Sequence, residues 1–242
     1  MSPDHVFEFT RENIDTYLKA VAKEYRKISG KIVPAELILV GGASVLINYG
    51  FRNITTDIDA LIMAASSMKE AINTIGDRYN LPNGWLNMDF ENTSSYTTKL
   101  IQFSEYYRTY SNIVTIRTVS AEYLIAMKLR SGRQYKNDLS DILGILAEHE
   151  KKGNPLTFDQ IKKAFCELYG NWNLISEHAR VFIENVMRNG NFEKQFIDTV
   201  SAEEENNALL TDFEKSNLIV TNSSNVDAIL SMLREKKNEG SG

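Results

Sequence analysis

The stretch "ELILVGGASVLINYGFRNITTDIDALI", residues 36–62, decides the fold. It opens with the apolar run 37–40, short enough for a buried strand, and then sets Gly41 and Gly42 ahead of Val45, Leu46 and Tyr49 at helical spacing. Strand, glycine turn and helix follow one another. The segment "TTDIDALIM" then alternates with period two. That puts Asp57, Asp59 and Leu61 on one face of a second strand and Ile58, Ala60 and Ile62 on the other. Two carboxylates one pleat apart repel each other and lose hydration on a dry face, so the pattern calls for a compensating cation or for solvent. Magnesium compensates through hard oxygen ligands shared with substrate phosphates; an exposed strand end does so through water. Glycines between strand and helix let a phosphate approach backbone N–H groups and the helix N-terminus, with Ser44 as a further hydroxyl donor. The same pair also suits a plain tight turn.

Upstream, "TRENIDTYLKAVAKEYRKI" repeats Ile14, Leu18, Val21, Tyr25 and Ile28 behind Thr10, which predicts an amphipathic helix ending at Gly30. Downstream, "SSMKEAINTIGDRYN" reads as a helix and "LPNGWLNMDFENTSS" as a turn-rich stretch held to the core by Trp85 and Phe90. "NIVTIRTVS" is a third strand, rich in β-branched residues. From Ser120 the pattern is helical: "SAEYLIAMKLRSGR", "NDLSDILGILAEHE", then helices over roughly 157–169, 174–189, 192–217 with a break, and 224–237. "AEEEN", residues 202–206, reads as a solvated helix face. A boundary near residue 150 separates a mixed α/β unit, 1–150, from a helical bundle, 151–242, and the fold class is α+β.

A chain of 242 residues with a 43% hydrophobic fraction supports a real core. Its formal charge of −5 argues against coating nucleic acid or an anionic membrane surface. The single cysteine, Cys166, excludes an internal disulfide framework, and it sits on a helix as a core residue. No apolar run spans a bilayer and the first residues show no signal-peptide pattern, so a cytoplasmic address is expected. His5, His149 and His178 are too scattered for a metal site. "KLRSGRQYK" gathers Lys128, Arg130, Arg133 and Lys136 near Tyr135, either as a solvated helix end or as a phosphate contact.

The constellation of apolar strand, Gly41-Gly42-x-Ser44, helix, Arg52, Thr55 and Asp57-Ile58-Asp59 resembles the DNA polymerase beta-like nucleotidyltransferase superfamily. The resemblance implies a mixed sheet flanked by helices and transfer of a nucleoside monophosphate from a nucleoside triphosphate. Gly42 and Ser44 match the triphosphate-gripping turn, with Gly41, Arg52 and Thr55 beside them as substrate-binding residues. Asp57 and Asp59 match the metal pair, for Mg2+ or alternatively Mn2+. The turn-to-aspartate distance is long for that pattern, as if one residue were added between Arg52 and Thr55.

A second block, "AEYLIAMKLRSGRQYKNDLSDILGIL", is similar to the helical motif of nucleotidyltransferase-like proteins of the AbiEii toxin type, E-x-L-x-x-x-K-x-x-x-x-R followed by D-x-x-D. Glu122, Leu124, Lys128, Arg133, Asp138 and Asp141 match it. Lys128 and Asp138 are thereby expected among the catalytic residues, and Arg133 and Asp141 among those binding substrate. Cations aimed at the D-x-D would neutralise phosphate oxygens, and an aspartate would orient the lysine or deprotonate the acceptor hydroxyl. A surface salt-bridge network is the plainer reading of the same charges. The superfamily's third carboxylate has no counterpart in "NIVTIRTVS", which offers Thr115, Arg117 and Thr118; Asp89, Glu91, Asp138 and Asp141 are the substitutes available. The resemblance implies a nucleoside triphosphate partner, a tRNA 3′ end or protein hydroxyl as acceptor, and a cognate antitoxin protein. The alternatives are a catalytically silent binding or antitoxin-like module and a small-molecule (antibiotic) adenylyltransferase.

Overall fold

The computed structural model describes residues 7–217, 221 and 225–239. Its elements run β1 (Phe9–Thr10), α1 (Arg11–Ser29), β2 (Ala35–Leu39), α2 (Gly41–Asn48), β3 (Ile54–Thr55), β4 (Ile58–Met63), α3 (Ser67–Tyr79) and β5 (Leu86–Asn87). There follow β6 (Ser104–Tyr110), β7 (Val114–Val119), α4 (Ala121–Ser131), α5 (Asp138–Lys151), α6 (Phe158–Tyr169), α7 (Glu177–Asn189), α8 (Phe192–Asn217) and α9 (Val226–Glu239). His5 and Ser224, the expected first residue of the last helix, lie outside the described residues.

Five strands form one mixed sheet in the order β5-β4-β2-β7-β6. β2 runs antiparallel to β4 and parallel to β7, and β5 extends the sheet parallel to β4, with Asp59 opposite Asn87. Both faces of the central strands are covered, which is why "ELIL" reads as an unbroken apolar run. Leu37 and Leu39 of β2, Ile58 and Ala60 of β4 and Ile116 of β7 pack with α1 and α3 in one core. Ile38, Leu61 and Val119 point the other way, into a core built by α4, α5, α6 and α7. The parity read from "DIDALI" holds: Ile58 and Ala60 are wholly buried on one side, and Asp59 shares the opposite face with Leu61.

The second core contains Leu124, Ile142, Leu143, Phe165 and Ile183, so a single apolar cluster spans residue 150. Phe51 packs into the space left by Gly144, where a Cβ would stand 2.6 Å from its ring, and also meets Phe196 edge-on. α8 is one continuous helix, where a break was expected. β6, "SEYYRTY", is an edge strand paired antiparallel with β7 and has no counterpart among the expected strands. "AEEEN" is only partly solvated, because Glu203 and Asn206 are buried at 4% and 5% exposure. No helix among the described residues is long and apolar enough to cross a membrane.

Candidate active site

α2 begins at Gly41 itself, so the two glycines are its first turn, the place where backbone N–H groups lack intrahelical partners. Gly41 adopts φ +55°, which favours glycine, and a Cβ there would lie 3.6 Å from Asp59 Oδ2. At Gly42 a Cβ would meet Thr55 Oγ1 at 2.6 Å and Arg52 Nη2 at 3.0 Å. The missing side chain lets the loop after α2 fold back over the turn. Thr55 then donates to Asp57 O at 3.2 Å and Arg52 Nε to Ile54 O at 3.0 Å, which shapes the approach to the aspartates.

A cleft opens in front of this turn in two adjoining lobes of about 480 and 360 Å³. Gly41, Asp57, Asp59, Lys128, Arg133, Tyr135 and Asp138 line both. One lobe adds Asp89, Phe90, the 92–95 loop, Leu124 and Met127; the other adds Gly42, Arg52, Thr55, Thr56, Lys136, Asn137 and Asn207. Asp59 is pushed up to about 6, first by burial and then by the charges of Asp57 and Asp89, with Arg133 and Lys128 pulling it back. Three carboxylates thus crowd one wall. Asp89 is delivered by β5, whose pairing with β4 carries the short helical turn 89–92 alongside Asp59. Among the described residues, no three His, Cys, Asp or Glu side chains stand together as a ready metal cage. Asp57 and Asp59 remain the hard oxygen donors that could hold a divalent cation.

The facing wall is a buried chain of alternating charges. Arg52 Nη1 donates to both Asp141 oxygens, at 2.9 and 2.6 Å, and Lys128 Nζ reaches Asp141 Oδ2 at 2.7 Å and Asp138 Oδ1 at 3.0 Å. Arg133 completes it, with Nε 2.8 Å from Asp138 Oδ2 and Nη2 3.1 Å from Oδ1. Three cations to two carboxylates leave one positive charge, turned toward the three aspartates. Burial alone would raise Asp138, yet Lys128 and Arg133 hold its carboxyl well below the usual range. Burial would lower Lys128 and Arg133, but their aspartates outweigh it and keep both charged. The plainer reading of these charges as a surface network does not hold, since the side chains of Lys128, Asp138 and Asp141 are 8%, 1% and 3% exposed.

The structure takes two of the expected substrate-binding residues out of the cleft lining. Ser44 is wholly buried, and its hydroxyl accepts from Val119 N–H at 3.2 Å instead of lining the cleft. Asp141, expected to bind substrate, is buried behind Lys128 and Arg52, pairs with both, and lines neither lobe of the cleft. Asp138 stays in the lining of both lobes; of its two expected roles, its bonds to Lys128 and Arg133 suit orientation of the cations, and a carboxyl held so far below the usual range is a weak base. Glu122 lies away from the cleft, lining a hollow with Tyr49 and His149. Asn137, at the cap position before Asp138, and Asn207, brought in by α8, are cleft residues that were not singled out in the sequence.

A family model described as a nucleotidyltransferase of unknown function (DUF6036) matches residues 16–150, more than half of the chain. No curated protein and no solved structure matches.

Proposed function

Because the chain belongs to the DUF6036 family of nucleotidyltransferases of unknown function, we propose that it moves a nucleoside monophosphate from a nucleoside triphosphate to an acceptor hydroxyl with magnesium, or manganese, as cofactor. The observation that carries this reading is the pairing of opposed walls: Asp57, Asp59 and Asp89 crowd one side of the cleft, and the net positive chain ending in Arg133 faces them. A divalent cation satisfies the first wall and a triphosphate the second. The donor set fits magnesium, which takes one or two carboxylates and completes its shell with water and substrate phosphates, so no three-residue cage is needed. When bound, the ion polarises the phosphate and eases ionisation of the attacking hydroxyl.

In this reading Asp57 and Asp59 hold the ion. The first-turn N–H groups of α2 at Gly41 and Gly42 take phosphate oxygens, helped by the positive end of the helix dipole. Lys128 and Arg133 are fixed by Asp138 and Asp141 before substrate arrives, so they stabilise developing charge with little reorganisation. The acceptor oxygen forms its bond to the α-phosphorus as the bond to the β-phosphate oxygen breaks, pyrophosphate leaves, and in this reading Asp89, which lines the cleft, takes the acceptor's proton. The acceptor is a tRNA 3′ end or a protein hydroxyl, in a toxin-antitoxin or phage-defence role in the cytoplasm. A silent nucleotide-binding or antitoxin-like module is the second reading, favoured by the lack of an acid in β7, Val114–Val119.

The test is incubation with each α-labelled triphosphate, magnesium, and either total tRNA or cell lysate, with Asp57→Ala in parallel. Label in RNA or protein that disappears in the variant is expected. Label that persists in Asp57→Ala, or none under any condition, overturns the enzyme.

A further inference from the structure

The C-terminal helices reach back to the loop and helix end that carry the positive wall. Glu203 of α8 lies with Oε1 2.9 Å from Leu139 N and 3.4 Å from Ser140 N, each N–H donating to it. These are the second and third residues of α5, the donors that a helix's own N-cap side chain ordinarily serves. Asn137 occupies the cap position and is of a favoured type, yet its side chain makes no cap bond and the residue lines the cleft. The cap comes instead from 66 residues away. Further contacts flank it: Asn206 Nδ2 donates to Gln134 O at 2.8 Å, and Arg234 of α9 donates to Asn206 Oδ1 at 2.8 Å. Tyr135 packs against Leu210, Val226 and Leu230.

A carboxyl at this spot is costly. Burial pushes Glu203 up to about 7, against the pull of the Ser140 hydroxyl and the two N–H groups, and Asp141 adds to the rise. Its Oε2 is buried without a hydrogen-bond partner among the described residues. An apolar residue would pack there more cheaply.

We propose that Glu203 is a positioning residue for the nucleotide: capping α5 from outside, it fixes Asp138 and Asp141 against Lys128, Arg133 and Arg52 and leaves Asn137 to the cleft. This rests on the nucleotidyltransferase reading of the cleft. A local cap at Asn137 would turn that side chain onto α5 and away from the substrate. The distant cap removes the conflict.

The test is calorimetric titration of the full chain with each of the four triphosphates in magnesium, beside melting temperatures, for wild type, Glu203→Leu, Glu203→Gln and Asn137→Ala. Glu203→Leu fills the site with an apolar side chain and removes the acceptor, and affinity should fall about tenfold. Glu203→Gln retains an oxygen that accepts the same two bonds and should stay within about threefold of wild type. Asn137→Ala should weaken binding with no loss in melting temperature, because its side chain caps nothing. Wild-type affinity in Glu203→Leu or in Asn137→Ala overturns the proposal, as does a Glu203→Gln variant as weak as Glu203→Leu. If Glu203→Leu does not fold, the other two variants decide. A wild-type chain that binds no triphosphate overturns the nucleotide reading and this proposal together, whereas normal wild-type binding with unaffected variants overturns this one alone.

Discussion

Removing Lys128 should destabilise the protein less than removing Asp141, although Lys128 is the centre of the buried charge chain. The order runs Arg52, Asp141, Lys128, Asp138, Arg133, with separations of 2.6 to 3.0 Å. Lys128→Met splits this into two neutral pairs, Arg52 with Asp141 and Asp138 with Arg133. Each buried carboxylate keeps an arginine. Asp141→Asn instead leaves three cations around one carboxylate, with Arg52 stripped of its partner. Breaking a buried pair costs about 3–5 kcal/mol, so the lysine variant belongs at the low end and the aspartate variant at the high end. At about 2–4 °C per kcal/mol for a chain of this size, the melting temperature should fall about 6–12 °C and about 10–20 °C respectively. Circular dichroism melts at low and high salt provide the measurement, and the difference should survive salt because Lys128 and Asp141, the two groups compared, are buried. A larger loss in Lys128→Met, or losses under about 1 kcal/mol in both, would refute the alternating-charge account and return these residues to the class of surface ion pairs.

Two further outcomes follow from the same geometry. Asp59 and Glu203 have folded-state values raised to about 6 and about 7, so the folded state holds protons that the unfolded chain has released above about pH 4. Their contribution is complete below that point and is lost as pH rises through the folded values. Without divalent ions, melting temperature should therefore decline between about pH 5 and pH 8, with a smaller decline in Asp59→Asn; an unchanged slope in that variant would show that Asp59 is not the group titrating. Gly42→Ala should leave the helices intact by circular dichroism yet weaken triphosphate binding about tenfold, because its Cβ displaces Thr55 and Arg52 from the turn; wild-type affinity would show that the turn does not grip phosphate.

The parts of the fold with strict periodicity were legible. β4 had to turn Asp59 and Leu61 away from Ile58 and Ala60, because burial on one side leaves no other register, and α1 stops at Gly30, whose φ of +85° favours glycine. β6 was not legible, since its seven residues lie at the sheet edge and most are exposed, so solvent imposes no alternation on "SEYYRTY". Asp57 and Asp59 were readable as a pair because adjacent like charges need an explanation, although only Asp59 lies in β4 and Asp57 is exposed just before the strand begins at Ile58. Asp89 could only be one acid among four until β5 was seen to lie beside β4. Glu203 was hidden by composition: three consecutive glutamates look like a wet helix face, and nothing local marks the one that turns inward to another helix. Ser44 misled for the opposite reason, since a hydroxyl after two glycines looks like a phosphate donor but lies on the inward side of α2.

The apolar cluster that crosses residue 150 bears on how such proteins diversify. The stretch matched by the family, residues 16–150, ends at the close of α5, while the outer faces of α4 and α5 are sealed by α6, α7 and α8. Expressed alone, the matched stretch would present that greasy surface to water and would be expected to aggregate. A relative built on the same core must therefore bring its own covering. In this chain the covering also leans on the 132–137 loop at the mouth of the cleft, through Asn206 of α8 on Gln134 and through Leu210, Val226 and Leu230 around Tyr135. If the cleft works as proposed, a different cover would change what can approach it while β2 and β4 stay as they are.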